Sequence, residues 1–246
     1  MPPPPPPPPP PVNNPPRITS VTVNLNRVEV GQPVTVTATV TDDETLPANL
    51  KYEWTAEAGT FSGSGNVVVW TAPMITPTPL PGVHAITLAV VERYGSDLAP
   101  LEHRITGRSP DVFVDDSPKT VRAMSEEFMR DFANNSVTPQ LCVRNFSDSA
   151  TCQRGKQSEL EDIIEVRRDY SVQSYTFSPR PAIINMGRTR ATVSGRCAFT
   201  SIRKKTNETV FPAGTCVLEL VNESNRWWMC ESSMHDSNSA ALDFPF

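Results

Sequence analysis

The alternation from Arg190 to Thr200 constrains this chain more than any other stretch. Ala191, Val193, Cys197 and Phe199 fall on one side at period two, and Thr192, Ser194, Arg196 and Thr200 on the other. Such a pattern is a half-buried strand. A reversal at Thr206-Asn207 sets Cys197 opposite Cys216, Gly195 opposite Leu218 and Val193 opposite Leu220, so that two apolar faces coincide. A second reversal around Glu223 sets Cys216 opposite Cys230 and Leu218 opposite Trp228. A slip of one residue in either register would turn the apolar set toward water. The expectation is a curved antiparallel sheet carrying Cys197, Cys216 and Cys230 in one row, with Trp228 inward and Trp227 outward.

The rest of the chain is read around that sheet. With 246 residues and 26 prolines, it suits two modest domains and an extended segment. A net charge of -5 without a long charge run gives no reason to expect nucleic acid or an anionic membrane surface. Three scattered histidines argue against a histidine-rich metal centre, and no cofactor is called for. No apolar run reaches the roughly eighteen residues of a membrane span. Met1 is followed directly by Pro2 to Pro11, so no signal peptide is visible. An exported lipoprotein stripped of its leader and anchoring cysteine would look the same.

Pro2 to Pro11 should form a polyproline II rod of roughly 30 Å at about 3.1 Å per residue. Residues 1–16 read as a spacer, or as a ligand for an aromatic groove. From Arg17 onward, short alternating strands separated by turn residues predict a β-sandwich over 17–108, followed by a linker at 109–116. Its strands are expected within Ile18 to Val23, Val28 to Val30, Val34 to Val40, Leu50 to Trp54, Asn66 to Trp70, Val83 to Val91 and Leu101 to Val114. Trp54 is expected in the core. Asp42, Asp43 and Glu44 admit a calcium reading, though acids at a strand end are more often a solvated turn.

Gly31-Gln-Pro-Val-Thr-Val-Thr-Ala-Thr-Val-Thr-Asp42, Tyr52-Glu-Trp54 and Val69-Trp-Thr-Ala-Pro73 together resemble bacterial immunoglobulin-like or PKD-like domains. The resemblance implies a spacer or adhesion module without catalytic residues.

Residues 117–234 read as a second domain, with 235–246 as a tail. Ser117-Pro118 is a helix start, and Val121, Met124, Phe128 and Phe132 lay an apolar stripe along the helix. A second helix is expected within Lys156 to Tyr170, where Leu160, Ile163, Ile164 and Val166 form a similar stripe. Helices before antiparallel strands give an α+β order, with helices packed on a curved antiparallel sheet. The first helix, Ser178-Pro-Arg-Pro-Ala-Ile-Ile-Asn-Met-Gly-Arg-Thr-Arg-Ala-Thr-Val-Ser-Gly195 and Asn225-Arg-Trp-Trp-Met229 resemble the nuclear transport factor two-like, cystatin-like fold. That resemblance implies a conical cavity, here lined by Val193, Phe199, Leu218, Leu220 and Trp228, with Tyr170 and Asp169 near its mouth. None of the inward positions is a general acid or base.

Five cysteines leave one thiol free if two disulfides form. Cys142 with Cys152 closes a short loop and is the first expected bridge. The second is Cys197 with Cys216 or Cys216 with Cys230, unless all three remain buried thiols. Bridges would place the protein in an oxidising compartment. Trp227, expected to be exposed, is the candidate partner surface.

Together these features point to a non-catalytic binding or assembly protein that is extracellular, at the cell surface or periplasmic. A protein or cell-envelope partner or self-assembly is expected, and no nucleic acid. The alternatives are a cavity-based isomerase or dehydratase and a structural subunit of a surface filament or envelope complex.

Overall fold

The structure, a computed structural model, describes residues 13–74, 82–96 and 99–235; the polyproline tract and the residues after 235 lie outside them. The chain divides into two compact units, residues 1–116 and 117–246.

The first unit is a β-sandwich. Strands β1 (Arg17–Val23), β2 (Arg27–Glu29), β3 (Pro33–Thr41), β4 (Lys51–Ala56), β5 (Thr60–Ser64), β6 (Val67–Thr71), β7 (Gly82–His84), β8 (Ile86–Ser96), β9 (Ala99–Arg108) and β10 (Val112–Asp115) form three sheets. Their orders are β1-β3-β6-β5, β4-β8-β9 and β2-β10-β7. In β3, Val34, Val36, Ala38 and Val40 are buried while the residues between them are less so, the alternation its sequence requires. They share one core with Ile86, Leu88 and Val90 of β8 and with Trp70, which is fully buried.

Two expectations change here. Trp54 is only partly buried, because β4 is an edge strand, and its indole N–H donates to the Gly65 carbonyl at 2.9 Å. Trp70 is the core tryptophan. The single strand expected from Val83 to Val91 breaks at Ala85, which sends β7 to β10 and β8 to β4 and β9. Asp42 accepts the backbone N–H groups of Glu44 and Thr45 at 2.9 and 2.5 Å, so its carboxylate closes the turn.

The second unit contains α1 (Ser117–Ala133), α2 (Pro139–Cys142), α3 (Gly155–Asp169), β11 (Tyr170–Pro179), β12 (Ile183–Ile184), β13 (Arg190–Arg203), β14 (Glu208–Val210), β15 (Ala213–Glu223) and β16 (Arg226–His235). The six strands make one sheet in the order β11-β13-β15-β16, with β12 and β14 both paired to β13. The expected α+β class, with helices layered on a curved sheet, is overturned by the distribution of structure. Strands hold 53% of the described residues and helices 18%, across several sheets and with only three α-helices, of which α2 is a single turn. The apolar residues of this unit are spent on long strands, 14 residues in β13 and 11 in β15.

The register of the sheet differs from expectation in an instructive way. Val193 faces Leu218 and Gly195 faces Cys216, two residues away from the expected pairing. A shift of two preserves the faces, so Val193, Cys197, Phe199, Cys216, Leu218 and Leu220 still point to one core. At the next hairpin the error is odd. Ser224 and Asn225, at φ 52° and 63°, form a two-residue turn that pairs Glu223 with Arg226 and Asn222 with Trp227. The odd shift exchanges the two tryptophans. Trp227 is 6% exposed and inside the core, its indole N–H donating to the Ser117 hydroxyl at 3.0 Å, whereas Trp228 lies on the opposite face. The bulge at Cys230, between the Glu219–Glu231 and Leu220–Met229 pairs, then restores the even register.

Candidate binding groove

The sheet's edge strand β16 is covered by the segment that precedes α3. Met229 donates its N–H to the Asn145 carbonyl at 2.8 Å, and Ser147 donates to the Met229 carbonyl at 2.8 Å. The next turn of chain folds back: the Lys156 N–H reaches the Ser147 carbonyl at 3.1 Å. A disulfide between Cys152 and Cys230 closes the same corner. Cys230 follows the inward Met229, so alternation turns its side chain to the other face of the sheet, where it joins Cys152 and Val221 in a separate buried cluster.

This arrangement opens a surface groove of about 750 Å³. Trp228 supplies apolar surface, while Phe146 is 1% exposed and belongs to the core; Arg144, Asp148, Lys156, Glu223 and Arg226 supply charge. Arg144 is committed elsewhere, to Asp131 at 2.6 Å and Glu127 at 2.5 Å, and these carboxylates hold its guanidinium more firmly charged. Glu223 accepts hydroxyls from Thr151 at 2.7 Å and Ser147 at 2.9 Å; Thr151, Ser149 and Ser147 hold its carboxyl below the usual range. Arg226 stacks on Trp228, its guanidinium carbon 4.0 Å from the ring centre. The groove therefore combines a fixed carboxylate with a guanidinium held over an indole face.

The expected site residues are distributed differently. Val193, Phe199, Leu218 and Leu220 are packed core residues, at most 2% exposed, in contact with α1 and α3 through Phe132 and Ile163. Trp228 lines the groove on the other face. Tyr170 is half-buried beside the core, its ring under the Arg203 guanidinium at 5.7 Å. Trp227, expected as a partner surface, is internal. Disulfides join Cys197 to Cys216 and Cys152 to Cys230, and Cys142 is the free, buried thiol among the described cysteines. The expected Cys142–Cys152 bridge does not form, because α2 buries Cys142 beneath Arg167, whose guanidinium lies 3.3 Å from the sulfur. Burial pushes this thiol's pKa up. The groove itself was missed at the sequence level, since its walls come from a loop, a helix start and a hairpin far apart in the chain.

No family model matches the chain, and no curated protein matches it. Among solved structures, the intermembrane space region of the chloroplast protein ARC6 aligns at 15% identity and a TM-score of 0.35, covering 49% of this chain and 97% of that one. The D0-D1 domain of intimin aligns at 11% identity and a TM-score of 0.27, covering 87% of this chain and 96% of that one. Likenesses this distant carry no argument about activity, and neither lends support to a nuclear transport factor two-like second domain. Among the described residues, no helix is long and apolar enough to cross a membrane.

Proposed function

We propose that this protein is a non-catalytic binding or assembly module of an oxidising, extracytoplasmic compartment, and that it engages a protein or envelope partner through the groove beside β16. The observation that carries this reading is the stapled corner. A loop that could lie loosely on the surface is instead fixed to the sheet by two backbone hydrogen bonds and the Cys152–Cys230 disulfide, and it frames the Arg226–Trp228 pair. Preorganised surface costs less to bind than mobile surface.

Two further observations support the reading. The presence of two disulfides favours an oxidising compartment over a reducing one. The residues expected to line a cavity are packed into the core, which favours recognition at the surface.

The test is retention of the full chain on a cell-envelope preparation from its source organism. Trp228→Ala should abolish retention without lowering the melting temperature by more than a few degrees. Equal retention of the variant and the parent would remove the groove from the account.

A further inference from the structure

We infer that the groove accepts an isolated carboxylate carried by an acidic peptide segment of a protein partner, with Arg226 as its principal contact; this rests on the groove being the binding surface. The charges divide into committed and available ones. Arg144 is bound to two carboxylates, and Glu223 already accepts two hydroxyls. Lys156 has one distant partner, Asp148 at 4.0 Å, whose side chain is 78% exposed. Arg226 has no carboxylate partner among the described residues, and its recorded contact is the face of Trp228.

A guanidinium held over an indole face and without a carboxylate partner keeps N–H groups available. Those groups match a carboxylate in a two-pronged hydrogen bond, and the contact with the ring restricts the side chain's freedom. Arg226 is thus an uncommitted cation held in place, which an ordinary solvated surface arginine is not. The turn residues Ser224 and Asn225, at positive φ, hold it at the rim.

The groove's own acids decide what bears the carboxylate. The lining carries the acids Glu223 and Asp148 as well as Arg226 and Lys156, so both signs are present. A densely charged anionic chain, such as a polyuronate, would meet repulsion from these acids. A peptide with one acid between apolar residues would not, and a neighbouring apolar side chain could lie against the part-exposed Trp228.

The test uses the full chain and two blocked pentapeptides, Ser-Leu-Glu-Leu-Ser and its glutamine counterpart Ser-Leu-Gln-Leu-Ser, followed through the indole N–H resonance of Trp228. The glutamate peptide should bind saturably, at least roughly tenfold more tightly than the glutamine peptide, a difference of about 1.4 kcal/mol. Arg226→Gln should erase that tenfold preference, and Arg226→Lys should restore only part of it. Equal binding of the two peptides, or an undiminished preference in Arg226→Gln, would overturn the inference. So would tighter binding of polygalacturonate than of the glutamate peptide at equal carboxylate concentration. If the peptides fail while Trp228→Ala still abolishes envelope retention, only the carboxylate assignment falls. If retention is indifferent to Trp228→Ala, the broader reading falls instead.

Discussion

Glu159 accepts both the backbone N–H and the hydroxyl of Ser232, at 2.9 and 2.8 Å, from a position only 2% exposed. A carboxylate from α3 thereby occupies the outer edge of β16 just beyond the Cys230 bulge. It satisfies an edge N–H that would otherwise be open to another strand. The edge is thus closed in succession by residues 145–147, the disulfide and Glu159.

Burial raises the Glu159 pKa from 4.5 to about 7, outweighing the two Ser232 hydrogen bonds that favour the charged form. Folding therefore favours the protonated acid. The stability due to this group is fully present below about pH 4.5 and is lost as the pH rises through about 7. The whole shift corresponds to about 3 kcal/mol at most. Urea unfolding at pH 5 and pH 8 should show this loss in the parent and a flatter dependence in Glu159→Gln.

Arg167 reaches from α3 to the carboxyl end of α1. Its guanidinium donates to the carbonyls of Asp131, Phe132 and Asn134 at 2.8, 3.1 and 3.1 Å, and to that of Val137. One side chain satisfies carbonyls that the helix cannot satisfy itself. Arg167→Ala should cost about 2–3 kcal/mol in denaturant unfolding, and Arg167→Lys should recover only a fraction of it.

Gly195 admits no side chain. A Cβ there would lie 2.4 Å from the Ser178 carbonyl oxygen and 2.7 Å from the Pro179 Cα on the neighbouring strand. Gly195→Ala should destabilise by about 1–3 kcal/mol. Gly187→Ala, whose nearest contact would be 4.0 Å away, should leave the unfolding midpoint nearly unchanged.

The adjacent tryptophans should behave oppositely. Trp227→Ala removes a core side chain and its hydrogen bond to Ser117 and should cost about 3–5 kcal/mol. Trp228→Ala removes the Arg226 stacking and should cost about 1 kcal/mol or less. Thermal melts of the two variants are the check, and equal losses would contradict the exchange of faces.

These outcomes also mark how far the residues alone could be read. The inward set Val193, Cys197, Cys216, Leu218 and Leu220 was legible because parity survives a register error of two. Trp227 and Trp228 were not, because the two-residue turn at Ser224-Asn225 shifts the pairing by an odd count, and no side-chain pattern announces it. The sandwich strands were visible from alternation, except that β7 and β8, and likewise β9 and β10, each read as one strand, and that β5, Thr60-Phe-Ser-Gly-Ser64, has too little apolar content to stand out. The disulfide partner of Cys152 lay 78 residues away and its face depended on the register of the Ser224-Asn225 hairpin, so loop length pointed to Cys142 instead.

That cross-link fixes the groove and supports an oxidising compartment. Its most direct test is disulfide mapping by mass spectrometry on the protein isolated from its source and digested without reduction. Fragments joining Cys152 to Cys230 and Cys197 to Cys216, with Cys142 unpaired, are predicted. A fragment joining Cys142 to Cys152, or five free thiols, would contradict it.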